Sequence, residues 1–237
     1  MGLEAESAYF EAGEKCAPTV CEALQPFARR RKSIHATRSQ AVKRTLDIGI
    51  ALGLLIVGTP LCLLVGLAIW LEDGSPVLFR QIRVGRDGSL FTLLKLRSMR
   101  SDAEADGAPQ WATPDDSRAT RVGRWIRALR IDEIPQAWNV LVGDMSFVGP
   151  RPERPEFVDL LSDAIPEYTR RHHVRPGITG WAQVNQPYSG SVDDARRKLE
   201  YDLHYLTNWS LFLDLLIVGR TAKIILFGWG GRASVRQ

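Results

Sequence analysis

One long apolar run, residues 46–71, dominates the pattern of hydrophobic and polar positions along this chain. Asp47 is its only charge, Thr59-Pro60 interrupts it, and it ends at Trp70 beside Glu72-Asp73-Gly74-Ser75-Pro76. As a straight helix it would measure about 35–40 Å, enough to cross a hydrocarbon core of about 30 Å. Residues 77–82 and 90–94 are β-rich runs around Gly85-Arg86-Asp87-Gly88, whose Asp-Gly pair predicts a hairpin. Residues 118–129 have helical spacing, residues 156–171 predict another helix, and residues 192–207 predict an amphipathic one with Arg196, Arg197 and Lys198 on its polar face. Residues 101–117 and Arg175-Pro176-Gly177-Ile178-Thr179-Gly180 read as loops. From Trp209 to Phe227 the chain is apolar again, yet it keeps Asp214, Arg220 and Lys223, with Trp209 and Trp229 at its ends. That profile suits a helix lying in a membrane interface, and packing on the domain core is the equal alternative.

Two features argue against a full crossing by the first run. Pro60 removes a backbone hydrogen bond and kinks or breaks a helix. Basic residues flank both ends, with Arg29-Arg30-Arg31-Lys32, Arg38 and Lys43-Arg44 before the run and Arg80, Arg83, Arg86, Lys95, Arg97 and Arg100 after it. The positive-inside tendency asks for both flanks on the cytoplasmic side. A re-entrant helix over residues 41–72 that enters and returns through one leaflet meets both demands, whereas a spanning helix leaves one basic flank outside. The predicted fold is α+β and helix-dominated, with that membrane-embedded helical hairpin, a small cytoplasmic globular domain over residues 73–208 and an interfacial helix over residues 209–230. Residues 1–40 read as a polar N-terminal extension.

Composition narrows the partners. The 237 residues suit one domain with appendages, and a formal net charge of +4 suits an anionic partner. The basic residues gather around the apolar run instead of alternating with aromatics along a stripe, so membrane lipids fit and nucleic acid does not. Cys16, Cys21 and Cys62 form no even framework, which implies a reducing compartment. The acidic start Met1-Gly2-Leu3-Glu4-Ala5-Glu6 predicts no cleavable leader.

The chemistry concentrates in Ile131-Asp132-Glu133-Ile134-Pro135-Gln136 and the Gly/Pro/Arg-rich turn Gly143-Asp144-Met145-Ser146-Phe147-Val148-Gly149-Pro150-Arg151-Pro152-Glu153-Arg154-Pro155. Pro135 is tolerated only in a helix's first turn, which places the two carboxylates at a helix start. There a phosphate can be held by unpaired N–H groups while one carboxylate attacks or coordinates a cation, or the pair is a solvated acidic cap. His172-His173 and His204 lack a metal-binding frame and read as structural or surface residues. Trp138 and Trp181 read as packing or interface residues, and residues 185–190 as a loop facing sugar or nucleotide.

Five blocks in order resemble the bacterial sugar transferases known as monotopic phosphoglycosyl transferases. They are Lys43-Arg44 with Asp47, Arg83-Val84-Gly85 through Lys95-Leu96-Arg97-Ser98-Met99, the Asp132 block, the Arg151 turn, and Arg175-Pro176-Gly177-Ile178-Thr179-Gly180-Trp181-Ala182-Gln183-Val184. The resemblance covers about residues 41–227 and implies an enzyme on the cytoplasmic face of the bacterial inner membrane. Such an enzyme moves a sugar 1-phosphate from a nucleotide sugar, here expected to be a UDP-sugar, to polyprenyl phosphate, the opening step of surface glycan assembly. It also implies a re-entrant helix, with Thr59-Pro60 where family members carry Ser-Pro. By the same resemblance Asp132 is the nucleophile, Glu133 a metal ligand or proton acceptor, and Arg127, Arg151, Arg175 and more weakly Lys95 phosphate binders. Asp132 and Glu133 are the expected ligands of Mg²⁺. Two other classes fit the same residues: a non-enzymatic membrane adaptor of a glycan-assembly complex, and a phosphodiesterase hydrolysing nucleotide sugars. An oligomer is compatible with the chain.

Overall fold

The computed structural model describes residues 34–103, 116–186 and 191–227, with side chains from residue 39 onward. The polar extension to residue 33, residues 104–115 of the predicted loop, residues 187–190 and Trp229 lie outside the described residues. By contacts the chain divides into residues 1–42 and residues 43–237. The start of the first helix belongs to the smaller unit.

Helix α1 (Ile34–Asp73) contains Pro60 within its length. The Thr59 hydroxyl donates to Leu55 O at 2.5 Å, one turn back, the back-bond to a carbonyl by which Ser and Thr side chains bend helices. A single stripe of α1 packs on the rest of the unit. Ala51 meets Phe91, Leu93, Ala137, Val140 and Met145, while Val65 and Ile69 meet Leu96, Ile126 and Ile131. Gly58 sits where the helix touches the turn that follows Asp132 and Glu133: a Cβ there would lie 2.7 Å from the Ile134 side chain. The opposite stripe is bare, with Ile56, Val57, Leu63, Leu64 and Leu71 each at least 70% exposed.

Both ends of that packed stripe are fastened by polar groups. At one end Arg44 donates to Val140 O and Leu141 O at 2.6 and 2.9 Å, and buried Asp47 accepts from Phe147 N at 2.9 Å. At the other, Glu72 accepts from Arg121 N and Val122 N at 2.8 and 2.9 Å, and Arg97 donates to Asp73 O and Gly74 O at 2.8 Å each. Asp47→Ala would strand the half-buried Phe147 N–H and is expected to cost about 1–3 kcal/mol. At roughly 2–4 °C per kcal/mol for a domain of this size, differential scanning of the detergent-solubilised protein should show it. An unchanged melting temperature would refute this role for Asp47.

The predicted hairpin forms: β1 (Leu78–Val84) pairs antiparallel with β2 (Leu90–Leu96), Leu78 opposite Leu96 and Val84 opposite Leu90. Asp87 and Gly88 turn it at φ 56° and 81°, the left-handed region those residues tolerate. Helix α2 (Arg121–Ala128) begins at an N-cap, with Thr120 accepting from Gly123 N. Helix α3 (Gln136–Val142) starts one residue after Pro135, so Asp132 and Glu133 belong to a separate one-turn 3₁₀ segment, Ile131–Glu133, and not to the start of that helix.

Three other expectations are corrected. The two turn-rich segments hide strands: β3 (Ser146–Val148) and β4 (Gly177–Thr179) pair in parallel. A Cβ on Gly177 would fall 2.1 Å from Gly149 N, so its glycine serves close strand approach, not only a turn. The helix expected over residues 156–171 is α4 (Pro155–Ala164) followed by a 3₁₀ segment, Tyr168–His173. Pro166 forces the break, because the residue before it, Ile165, is held extended. Lys198, expected on a polar face, is instead mostly buried against Glu153. Helices α5 (Trp181–Asn185), α6 (Val192–Asn208) and α7 (Leu211–Phe227) complete the described residues, which are helix-dominated α+β. In α7 the packing alternative holds for one face: Asp214 and Ile217 are buried, while Phe212, Leu215, Leu226 and Phe227 are exposed. Asp214 is paired with Lys43 at 2.7 Å and accepts from Tyr205 and Trp209.

Candidate active site

The 3₁₀ turn carrying the carboxylates is enclosed by three elements. Arg130, at φ 57°, reverses the chain after α2 and starts the turn. Ile131 and Ile134 lodge against α1 and β2, and β2 brings Lys95 to the carboxylates. The turn after β3 delivers Arg151. Asp132 and Glu133 are each 6% exposed, so the surrounding protein sets their charge.

The two acids are treated unequally. Glu133 Oε1 receives Arg151 Nη2 at 2.7 Å, Arg130 Nη1 at 3.3 Å and Lys95 Nζ at 3.8 Å. Burial alone would raise its pKa, but Arg151, Lys95 and Arg130 outweigh that and hold it well below the usual carboxylate range. Asp132 goes the other way: burial, then the neighbouring Glu133 charge, push it up to about 6. Its Oδ1 is buried without a hydrogen-bond partner. Lys95 is pulled down to about 8 by burial and by Arg151 beside it. An activity that needs ionised Asp132 and charged Lys95 is lost as pH falls through about 6 and as it rises through about 8. A kcat/KM profile flat from pH 5 to 9 would contradict this assignment.

Of the residues predicted from sequence, Asp132, Glu133, Lys95 and Arg151 are brought together. Arg175 is not among them: its Nε donates to Gly143 O at 2.9 Å, and its charged neighbours are Arg86, Arg44 and Asp47. Arg127 lies near the end of α2, and among the described residues nothing pairs with its guanidinium. Sequence reasoning missed Arg130 and Gln136. Their spacing was the available signal, Arg130 three residues before Glu133 and Gln136 four after Asp132. Gln136 is buried, with Nε2 unpartnered.

Among the described residues no three His, Cys, Asp or Glu side chains gather as a metal cluster. One free carboxylate oxygen on Asp132, with the substrate supplying phosphate oxygens, matches the sparse protein ligation usual for Mg²⁺. Glu133, saturated by cations, has less to offer. His172 is held neutral by burial and by Arg171, its pKa lowered to about 4, and His204 stacks on Trp181 with ring centroids 5.8 Å apart, so both serve packing.

The chain matches the model of the bacterial sugar transferase family over residues 38–228. It is 50% identical over 191 residues to a UDP-N-acetylgalactosamine-undecaprenyl-phosphate N-acetylgalactosaminephosphotransferase of Aeromonas hydrophila, covering 81% of this chain and 45% of that protein. A UDP-glucose:undecaprenyl-phosphate glucose-1-phosphate transferase of Caulobacter vibrioides is 47% identical over 186 residues, 78% of this chain and 69% of its own. An uncharacterized sugar transferase of Bacillus subtilis is 44% identical over 193 residues, 80% of this chain and 89% of its own. The chain thus spans under half the length of the first relative. With the match running from α1 to the end of α7, this protein belongs to the bacterial sugar transferase family.

Proposed function

We propose that the protein transfers a sugar 1-phosphate from a UDP-sugar to undecaprenyl phosphate, releasing UMP and opening a surface glycan. The observation that carries this is Asp132 Oδ1, buried and unpartnered beside the cations gathered on Glu133. Such an oxygen is poised for a phosphorus centre. The ionised carboxylate attacks the phosphorus bearing the sugar, the bond to the bridging oxygen breaks, and UMP leaves. An oxygen of the lipid phosphate then attacks the same phosphorus and frees the carboxylate. The two steps spare the site from holding a soluble donor and a lipid acceptor together. Arg151 and Arg130 have donors beyond those spent on Glu133 and can follow the phosphate oxygens. Mg²⁺, when bound to Asp132 and the diphosphate, supplies neutralisation of developing charge.

The membrane part of the reading rests on α1. Residues 43–47 and residues 72–73 are bonded to the same domain, so the helix cannot place those ends on opposite sides of a bilayer while these bonds hold. This supports a monotopic arrangement, in which the bare stripe of α1, Trp125 and Trp138 and the outer face of α7 meet lipid from the cytoplasmic face of the inner membrane. The catalytic turn then lies against the helix that contacts the lipid acceptor's leaflet. The deciding experiment incubates the purified protein with undecaprenyl phosphate, Mg²⁺ and a panel of UDP-sugars. UMP release with lipid-linked product supports transfer, free sugar phosphate indicates a phosphodiesterase, and no release with any sugar rejects the enzyme in favour of an adaptor.

A further inference from the structure

The turn Arg151-Pro152-Glu153 is gripped through its backbone by groups that never touch the carboxylate pair. Arg171 Nη2 donates to Arg151 O at 2.9 Å, Arg83 Nη1 to Pro152 O at 3.2 Å and Val84 N to Glu153 O at 3.0 Å. The Glu153 carboxylate is paired with Lys198 and, at 3.8 Å each, with Arg83 and Arg171. Arg171 is in turn immobilised. Its Nε and Nη2 reach Asp202 Oδ2 at 3.0 and 2.8 Å, and its Nη1 donates to the Tyr168 hydroxyl at 2.7 Å. The Arg171 and Asp202 side chains are each 1% exposed.

A buried ion pair is a weak source of stability, because desolvation offsets most of the attraction and apolar residues of like volume often serve as well. Direction is what this one supplies. A guanidinium has a rigid fork of donors, and here the fork spans three elements: Asp202 on α6, Tyr168 on the 3₁₀ segment, and the main-chain carbonyl of Arg151 itself. We propose that Arg171 is a positioning residue for Arg151, anchored by Asp202 and Tyr168, and that it presets the guanidinium that meets the donor's diphosphate. The inference rests on the function proposed above. A shift of about 1 Å in such a group can cost about a hundredfold in rate.

The test is a double-mutant cycle on the full chain. The pair variant Arg171→Met with Asp202→Leu replaces the ion pair by apolar volume and removes the hold on Arg151 O. Its turnover for UMP release should fall about ten- to a hundredfold with the melting temperature kept and the KM for undecaprenyl phosphate unchanged. Arg151→Lys should fall similarly. All changes combined should be no worse than Arg151→Lys alone, since Arg171 acts only through Arg151. Tyr168→Phe removes one anchor with little change in packing and should lower turnover several-fold, so a pair variant that fails to fold leaves a second arm. Full turnover in Tyr168→Phe and in any folded pair variant overturns the positioning role, as do losses that multiply with Arg151→Lys. In both cases an active parent leaves the proposed function standing, whereas a parent releasing no UMP overturns that function and this inference with it.

Discussion

Asp132→Asn is expected to abolish turnover, by more than about a thousandfold, and to leave the fold intact. The amide keeps the shape of the side chain in a site where Oδ1 has no hydrogen-bond partner to lose. What disappears is the charge that, in the proposed mechanism, attacks phosphorus. Burial and Glu133 raise the pKa of Asp132, and a carboxylate of raised pKa is the better nucleophile once ionised, which is the state the site provides near neutral pH. The parent enzyme should release UMP without any lipid acceptor, in an amount stoichiometric with enzyme. Intact-protein mass spectrometry should then find a sugar-phosphate adduct that is absent in Asp132→Asn. If kinetics require both substrates bound together and no adduct forms, Asp132 is a metal ligand and transfer is direct.

Arg151→Lys is the second large effect, expected at about ten- to a hundredfold in rate, or roughly 1.5–3 kcal/mol. Arg151 spends Nη2 on Glu133, and in the proposed mechanism the rest of its planar fork meets phosphate oxygens. An ammonium keeps the charge but has no second edge, so it can satisfy Glu133 or the substrate and not both in fixed geometry. The loss should show in turnover with the melting temperature unchanged. A fully active Arg151→Lys would make this arginine a simple counter-charge for Glu133.

The strong local signals in the sequence determined the elements they point to. The Asp-Gly pair set the hairpin, the helical spacing after Thr120 set α2, and the long apolar run set α1, because each is governed by neighbours within a few residues. The Asp132-Glu133 pair and Arg151 were likewise readable as chemistry. Tertiary structure alone decided how they differ: adjacent acids look equivalent in sequence, but three cations from three parts of the chain converge on Glu133 and leave Asp132 bare. It also separated Arg175 from the site and tied it to Gly143. The strands β3 and β4 went unread because three residues are too short for an alternating pattern, and the glycines that let them approach are the same letters that mark turns. The burial of the charges Asp47, Arg171, Asp202 and Asp214 could not be read from the chain, since a charge in sequence does not say whether a distant partner will desolvate it. Both ends of α1 bonding to one domain is a relation between residues far apart in the chain. Local pattern could show that such a helix exists, and only long-range packing could fasten its two ends to one domain.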